Sequence, residues 1–241
     1  MKVTRKQREI KERETLILDT ARPMLIRDGY HGLNMDRLAE TLEYSKGTIY
    51  NHFGCKEEII IALAIATMEK RTELFERAAA FRGNSRERMM AIGVAADIFV
   101  NLFPDHFSVE QMIRTVSIWD KTTEKRRIAM RSCEAKCIGI VAGIVRDAVA
   151  HGDLELDADT RPEELVFGLW SMSYGAYSIL SASDSLNELG IADPIETLRN
   201  NQVKIIDGYG WNPLSSDHDF TPTYERIEQE LFHDEIKVVS S

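Results

Sequence analysis

No stretch of this sequence holds 18 consecutive apolar residues. The longest candidate, "CIGIVAGIVRDAVA", is broken by Arg146 and Asp147, so no membrane-spanning helix is expected. The opening segment, "MKVTRKQREIKERE", is too charged to contain the apolar core of a secretory leader. Cysteine is scarce. Three residues, Cys55, Cys133 and Cys137, are an odd number and make no disulfide framework, so a reducing cytoplasm is the expected setting. Catalytic signatures are missing as well. The six histidines show no H-E-x-x-H spacing, and no G-x-S-x-G, phosphate-binding loop or dinucleotide fingerprint occurs. No enzymatic activity, cofactor or metal is expected. Cys133 and Cys137 share a helix face as small buried residues, since a metal site would need a distant ligand such as His106. Strand-like alternation, internal repeats and low-complexity tracts are also absent.

What is present is helical periodicity across 241 residues, 44% of them hydrophobic and 29% charged, enough for one large domain or two small ones. Ile10, Leu16, Ile17, Ala21 and Leu25 recur at helical spacing over about 4–28, with Gly29 as the stop and Pro23 as a possible kink point. Short helices are expected over 35–42, capped by Asn34, and over 45–53. Longer ones follow at about 56–81, 85–103, 107–120, 123–151, 161–186 and 193–208, then a short one at 222–236. The fold class is all-α.

Charge is unevenly placed. Residues 1–56 carry eleven Lys/Arg against eight Asp/Glu, a net +3, and the remainder nineteen against thirty-one, a net −12. Six of the first thirteen residues are basic, Arg5 and Lys6 among them. A basic block on an acidic chain suits contact with a polyanion, with the acidic bulk held away.

Two short helices joined by a three- or four-residue turn form a helix-turn-helix, whose second helix can enter a major groove. On a helical wheel of the second, Ile49 and Phe53 share the inward face. Gly47 and Asn51 lie opposite, with Lys46 and Tyr50 on one flank and Thr48 and His52 on the other. Ser45 caps this helix. Lys46, Tyr50, His52 and Lys56 offer donors to phosphate, and Gly47 permits close backbone approach. Periodicity by itself does not separate this surface from a solvated or protein-binding face. The basic N-terminal arm, with Arg5 and Lys6, favours DNA.

The string "GYHGLNMDRLAETLEYSKGTIYNHFGCKEEII" resembles the N-terminal domain of the tetracycline-repressor (TetR) family of bacterial transcription regulators. The resemblance rests on Gly29-Tyr30, Leu38-Ala39, Ser45 to Tyr50, His52-Phe53 and Lys56-Glu57-Glu58, and covers roughly the first 60 residues. It implies a homodimer on palindromic operator DNA, released when a small molecule of unknown identity binds the C-terminal domain. Two positions depart from the family pattern. Glu43 stands where the turn commonly has glycine, at a cost of about 1 kcal/mol for a left-handed conformation. Cys55 stands where a Ser or Asp usually caps the fourth helix, and a helix N-terminus beside Lys56 is expected to lower its pKa. A tolerated small residue and a redox role are both readings of that position.

The expected division is 1–56 for DNA binding, 57–209 for effector binding and dimerisation, and 210–241 as a C-terminal extension without an assigned purpose. "ELVFGLWSMSYGAYSIL" is apolar on two faces. One face, Phe167, Trp170, Tyr174 and Tyr177, packs a core or lines a ligand cavity. The resemblance implies that the last two long helices form the dimer bundle, through Leu165, Leu169 and Met172 with Leu198, Ile205 and Ile206. Effector-pocket candidates are Phe99, Phe103, Met112, Trp119, Trp170 and Tyr174. The alternative function is a helical ligand-binding or enzymatic protein whose N-terminal unit is a protein-interaction module.

Overall fold

A computed structural model describes residues 4–115 and 118–239 of the chain. Among the described residues there are eleven α-helices and no strand: α1 (Arg5–Gly32), α2 (Met35–Thr41), α3 (Lys46–His52), α4 (Lys56–Ala79), α5 (Ser85–Leu102), α6 (Pro104–Thr115), α7 (Glu124–His151), α8 (Pro162–Ser181), α9 (Pro194–Gly208), α10 (Thr221–Leu231) and α11 (His233–Val239). α1 runs through Pro23, and its regular backbone ends at Gly29, which takes φ 68°. That is a conformation open to glycine.

Contacts divide the chain into two compact units: Met1–Glu69 with Pro104–Cys133, and Lys70–Phe103 with Glu134–Ser241. In the first, Ile17, Ala21 and Leu25 of α1, Leu38 of α2, Ile49 of α3 and Ile59, Ile60 and Leu63 of α4 are fully buried. α6 packs on α1, where Arg22 donates to His106 Nδ1 at 3.0 Å. Periodicity gave no sign that residues 104–133 join the N-terminal helices. The helix expected over 107–120 is shifted: it starts at Pro104, and residues 116–117 of the expected span lie outside the described residues.

In the second unit α8 packs on α9. Leu165, Leu169, Leu198 and Ile206, expected at a subunit interface, are already buried within the single chain. Met172 and Ile205 are half-buried, whereas Phe167 and Ile179 are exposed. Both stripes of α8 have the same period, so the wheel could not say which one the chain's own helices cover. α8 also stops earlier than expected, at Ser181. There the hydroxyls of Ser181 and Ser183 bond back to the carbonyls of Ser178 and Ile179 and compete with helix continuation.

The C-terminal segment is part of this unit's core. α10 and α11 both pack on α5. Trp211 is fully buried and its Nε1 donates to Ser85 Oγ at 2.9 Å. Arg86, 1% exposed, donates to the Trp211 carbonyl at 2.5 Å, pairs with Asp207 at 2.6 Å and lies 4.7 Å over the Phe220 ring. Arg77, at the end of α4, pairs with Glu235, donates to the Leu231 carbonyl and sits over the Phe232 ring. The single helix expected over 222–236 is broken at Phe232, whose backbone leaves the helical region as its ring is buried.

Candidate nucleic-acid interface

The helix-turn-helix is held by local chemistry before any packing. Asn34 caps α2 by accepting from the Asp36 N–H at 2.8 Å. Beyond Leu42 the Tyr44 N–H reaches the Ala39 carbonyl at 2.9 Å, and the Glu43 N–H reaches that of Glu40 at 3.2 Å. This 6→1 and 5→2 pair is a Schellman motif, which places its C′ residue in the left-handed region. The C′ residue is Glu43, with φ 54°, the only non-glycine with positive φ among the described residues. Glu43→Gly is expected to raise stability by about 0.5–1 kcal/mol, the left-handed strain relieved minus the entropy glycine loses on folding. Thermal melts of the two proteins check it, and a lower melting temperature for the glycine variant contradicts it.

Ser45 caps α3 by accepting from the Thr48 N–H at 3.1 Å. Ile49 and Phe53 are buried, as the wheel requires. Ser45, Lys46, Gly47, Tyr50 and Asn51 are exposed and Thr48 is half-buried. Six of the residues named for DNA contact thus share one outward surface. Lys46 is joined to Asp36 of α2 at 2.5 Å, an exposed pair. The hydrogen bond to Asp36 holds its ammonium above the usual lysine range.

The other named residues are placed differently. The His52 side chain is 9% exposed and its Nδ1 lies 3.7 Å from Glu14 of α1. It is turned to the protein, which corrects its place on the phosphate-facing flank. Lys56 is half-buried. Its Nζ donates to the Tyr30 carbonyl at 2.8 Å and lies 4.1 Å over the Tyr30 ring. It tethers α4 to the last residues of α1, just past Gly29, a packing role the sequence did not suggest. Arg5 and Lys6 are exposed but lie in the first helical turn of α1, so they form no extended arm. Arg5 pairs with Glu9 at 2.8 Å.

Sequence reading missed the cluster behind α3. Glu57 and Glu58, both buried, open α4. Glu57 accepts from the Tyr30 hydroxyl at 2.5 Å and from Lys121 at 3.0 Å. Glu58 accepts from Arg126 Nε at 2.5 Å and from the Thr123 backbone N–H. Arg126 also lies 4.8 Å over the Phe53 ring, which ends α3. Acidic residues at a helix start are a readable signal. Their cationic partners, Lys121 and Arg126, lie more than sixty residues away and are not. Cys55 donates its thiol to the Lys121 carbonyl at 3.3 Å. Burial pushes that thiol up, and the nearby Glu57 carboxylate adds to the shift. The lowered pKa expected there is corrected: desolvation and a neighbouring anion outweigh the helix terminus.

Although burial raises the Glu57 carboxyl, hydrogen bonds from Tyr30 and Lys121 hold it down to about 2, from an ordinary 4.5. A depressed carboxyl contributes stability that is present above its unfolded value and lost as pH falls through the folded one. Glu57→Gln is therefore expected to melt about 5 °C below the parent at pH 7. The gap should close between pH 4.5 and 2. Melts across that window check it, and a gap independent of pH contradicts it.

The effector candidates do not fall in one unit. Phe99, Phe103, Trp170 and Tyr174 belong to the second unit, Met112 and Trp119 to the first. Phe99 is buried, Trp119 is exposed and the other four are half-buried. Phe99 and Phe103 have ring centroids 6.2 Å apart, with Arg71 over the former at 4.5 Å. Nearby in the fold, and unnoticed in sequence, buried Asp97 accepts from Tyr177 and from Arg199 Nε and Nη2 at 2.9 and 2.7 Å. Burial raises its carboxyl.

A capped helix-turn-helix with a polar, hydrogen-bonding outer face, on an otherwise acidic all-α chain, defines a DNA-binding transcriptional regulator. Residues 17–63 match the profile of bacterial regulatory proteins of the tetR family. The match covers the N-terminal helices that carry the helix-turn-helix. The chain is similar to the HTH-type transcriptional regulator UidR of Escherichia coli (strain K12), with 21% identity over 80% of this chain and 93% of that protein. It is similar also to the fatty acid metabolism regulator protein of Bacillus subtilis (strain 168), with 24% identity over 72% and 91%. Among solved structures, the transcriptional regulator FadR from Bacillus subtilis in complex with stearoyl-CoA shares the fold, with a TM-score of 0.60 and 17% identity over 80% of this chain and 96% of that one.

Proposed function

We propose that the chain acts in the cytoplasm as a homodimeric repressor. Two α3 helices enter successive major grooves of a palindromic operator, and a small molecule bound by the larger helical part releases the DNA. Residues 1–56 serve DNA binding, 57–209 serve the effector and the dimer, and 210–241 complete the fold of the second unit. The observation that carries this reading is the α3 surface. Ser45, Lys46, Gly47, Tyr50 and Asn51 are exposed together while Ile49 and Phe53 anchor the helix. This arrangement points hydrogen-bonding groups outward on a rigid support.

The reading includes no catalytic step. The effector site centres on Phe99, Phe103, Trp170 and Tyr174. The Bacillus neighbour was solved with stearoyl-CoA, so this fold can hold a long acyl ligand. Dimerisation uses the face of α8 that the single chain leaves open, where Phe167 is 60% and Ile179 56% exposed. Gel shifts with mixed-sequence DNA at two salt concentrations, with light scattering alongside, test the reading. The expected result is a dimer whose affinity falls steeply with salt. A monomer, or salt-independent binding, contradicts it.

A further inference from the structure

Ile17 is the first buried residue of α1. From Thr4 to Leu16 every side chain is exposed or half-exposed, including Ile10 and Leu16. This part of the helix rests on local interactions: a Thr4/Gln7 capping box and the Arg5–Glu9 pair. A helix of that length without packing is marginal in water, so its sequence has been left free for something other than the core.

That sequence is charged in a directed way. It holds Arg5, Lys6, Arg8, Lys11 and Arg13 against Glu9, Glu12 and Glu14. Glu9 is engaged by Arg5 and Glu14 faces His52. Lys6, Arg8, Lys11 and Arg13 make no ion pair among the described residues. At 100° per residue, Arg5, Arg8 and Lys11 fall within an arc of about 120°, turned away from the Ile17, Ala21 and Leu25 face. Arg8, Lys11, Glu12 and Thr15 line a shallow open hollow on that arc. Glu12 makes it a cation-bearing hollow around one carboxylate rather than a uniformly basic strip.

Position supplies the second argument. His52 is the last residue of α3 and it reaches Glu14. α1 therefore passes the C-terminal end of the recognition helix at residue 14, and the turns before it run on for about 15 Å at ~1.5 Å per residue. Such a length of duplex carries about four phosphates per strand.

We propose that the N-terminal turns of α1, through Arg8 and Lys11 with Arg5, form a second DNA-contact surface that grips backbone phosphates beside the groove occupied by α3 and reads no bases. Guanidinium groups suit this task because they pair with phosphate through two parallel hydrogen bonds. The proposal rests on the DNA-binding reading above, and its test separates the two. Full-length protein is titrated onto a fluorescein-labelled mixed-sequence duplex of about 40 base pairs, long enough for a dimer and its flanks, across a range of salt. Arg8→Ala/Lys11→Ala is compared with the parent. Alanine has the higher helix propensity, and circular dichroism confirms that the helix is retained.

The expected result is a salt slope lower by roughly two per half-site. The base preference recovered from a random pool should be unchanged. Lys204→Ala/Lys237→Ala removes the same charge from exposed positions in the second unit and should leave the slope alone. An unchanged slope for the α1 variant, while Lys46→Ala lowers it, overturns the proposal and leaves the DNA reading standing. A shifted base preference overturns it as well. If the parent binds no duplex in a salt-dependent way, both fall together.

Discussion

A chain ending at Tyr209 is expected to lose the cooperative folding of its second unit. The segment beyond contributes Trp211, Phe220, Ile227 and Phe232 to the core, all buried. Each such side chain is worth about 1.5–3 kcal/mol on burial, so the four approach the whole stability of a typical domain. Removal also strands Arg86. It is 1% exposed and would keep Asp207 but lose the Trp211 carbonyl and the Phe220 ring. A buried cation short of partners is a further penalty of several kcal/mol. Trp211→Ala isolates part of the effect, with an expected cost of about 3–5 kcal/mol. Thermal and denaturant unfolding of the truncated and substituted proteins read it directly. A truncated chain that melted within a few degrees of the parent would show that α10 and α11 are an appendage.

Gly47→Arg is expected to abolish recognition of the parent operator without harming the fold. A Cβ at Gly47 would meet only Ser45 Oγ, at 3.7 Å, an ordinary contact. Arginine also favours helix over glycine by nearly ~1 kcal/mol. The free protein should therefore be as stable as before or slightly more so. In the groove the outcome differs, because position 47 lies opposite the buried Ile49 and has no side chain to withdraw. A long side chain there clashes with the groove floor or reads a different base. At about 1–3 kcal/mol per half-site and two half-sites, affinity for the parent site should fall about 30-fold or more. Melting curves together with binding isotherms distinguish this from unfolding. Retained affinity and preference would place another face of α3 in the groove.

The parts legible in sequence were mostly those decided by local chemistry. Asn34, Ser45 and the Ile49/Phe53 pair were readable because caps and i,i+4 spacing act within one turn, whereas the left-handed turn at Glu43 was legible only through the resemblance to a family that commonly has glycine there. Gly29 ended the regular helix for a local reason, its freedom to take positive φ. The wheel failed where a second element decides exposure. It placed His52 on an outer flank because it carries no information about Glu14 on α1. It likewise missed that Lys56 would be drawn to the Tyr30 carbonyl and ring. On α8 it found two apolar stripes and could not rank them, since only the packing of α9 shows that Leu165 and Leu169 face inward. The Glu57 and Glu58 cluster depends on Lys121 and Arg126, and the core role of Trp211 on Ser85 and Arg86. Contacts separated by sixty residues or more leave no periodic trace. The shifted thiol of Cys55 belongs here too, because burial and Glu57 outweigh the helix terminus that sequence alone could weigh.

The central claim is that the outer face of α3 reads base edges in a two-fold arrangement. Binding-site selection from a random duplex pool, using the full-length protein, tests it most directly. The account requires an enriched consensus with inverted half-sites, one for each α3 of a dimer. Tyr50→Ala should weaken binding to that consensus, with some relaxation where the ring meets a thymine methyl. A pool that stays random after selection, or a consensus without two-fold symmetry, would contradict it.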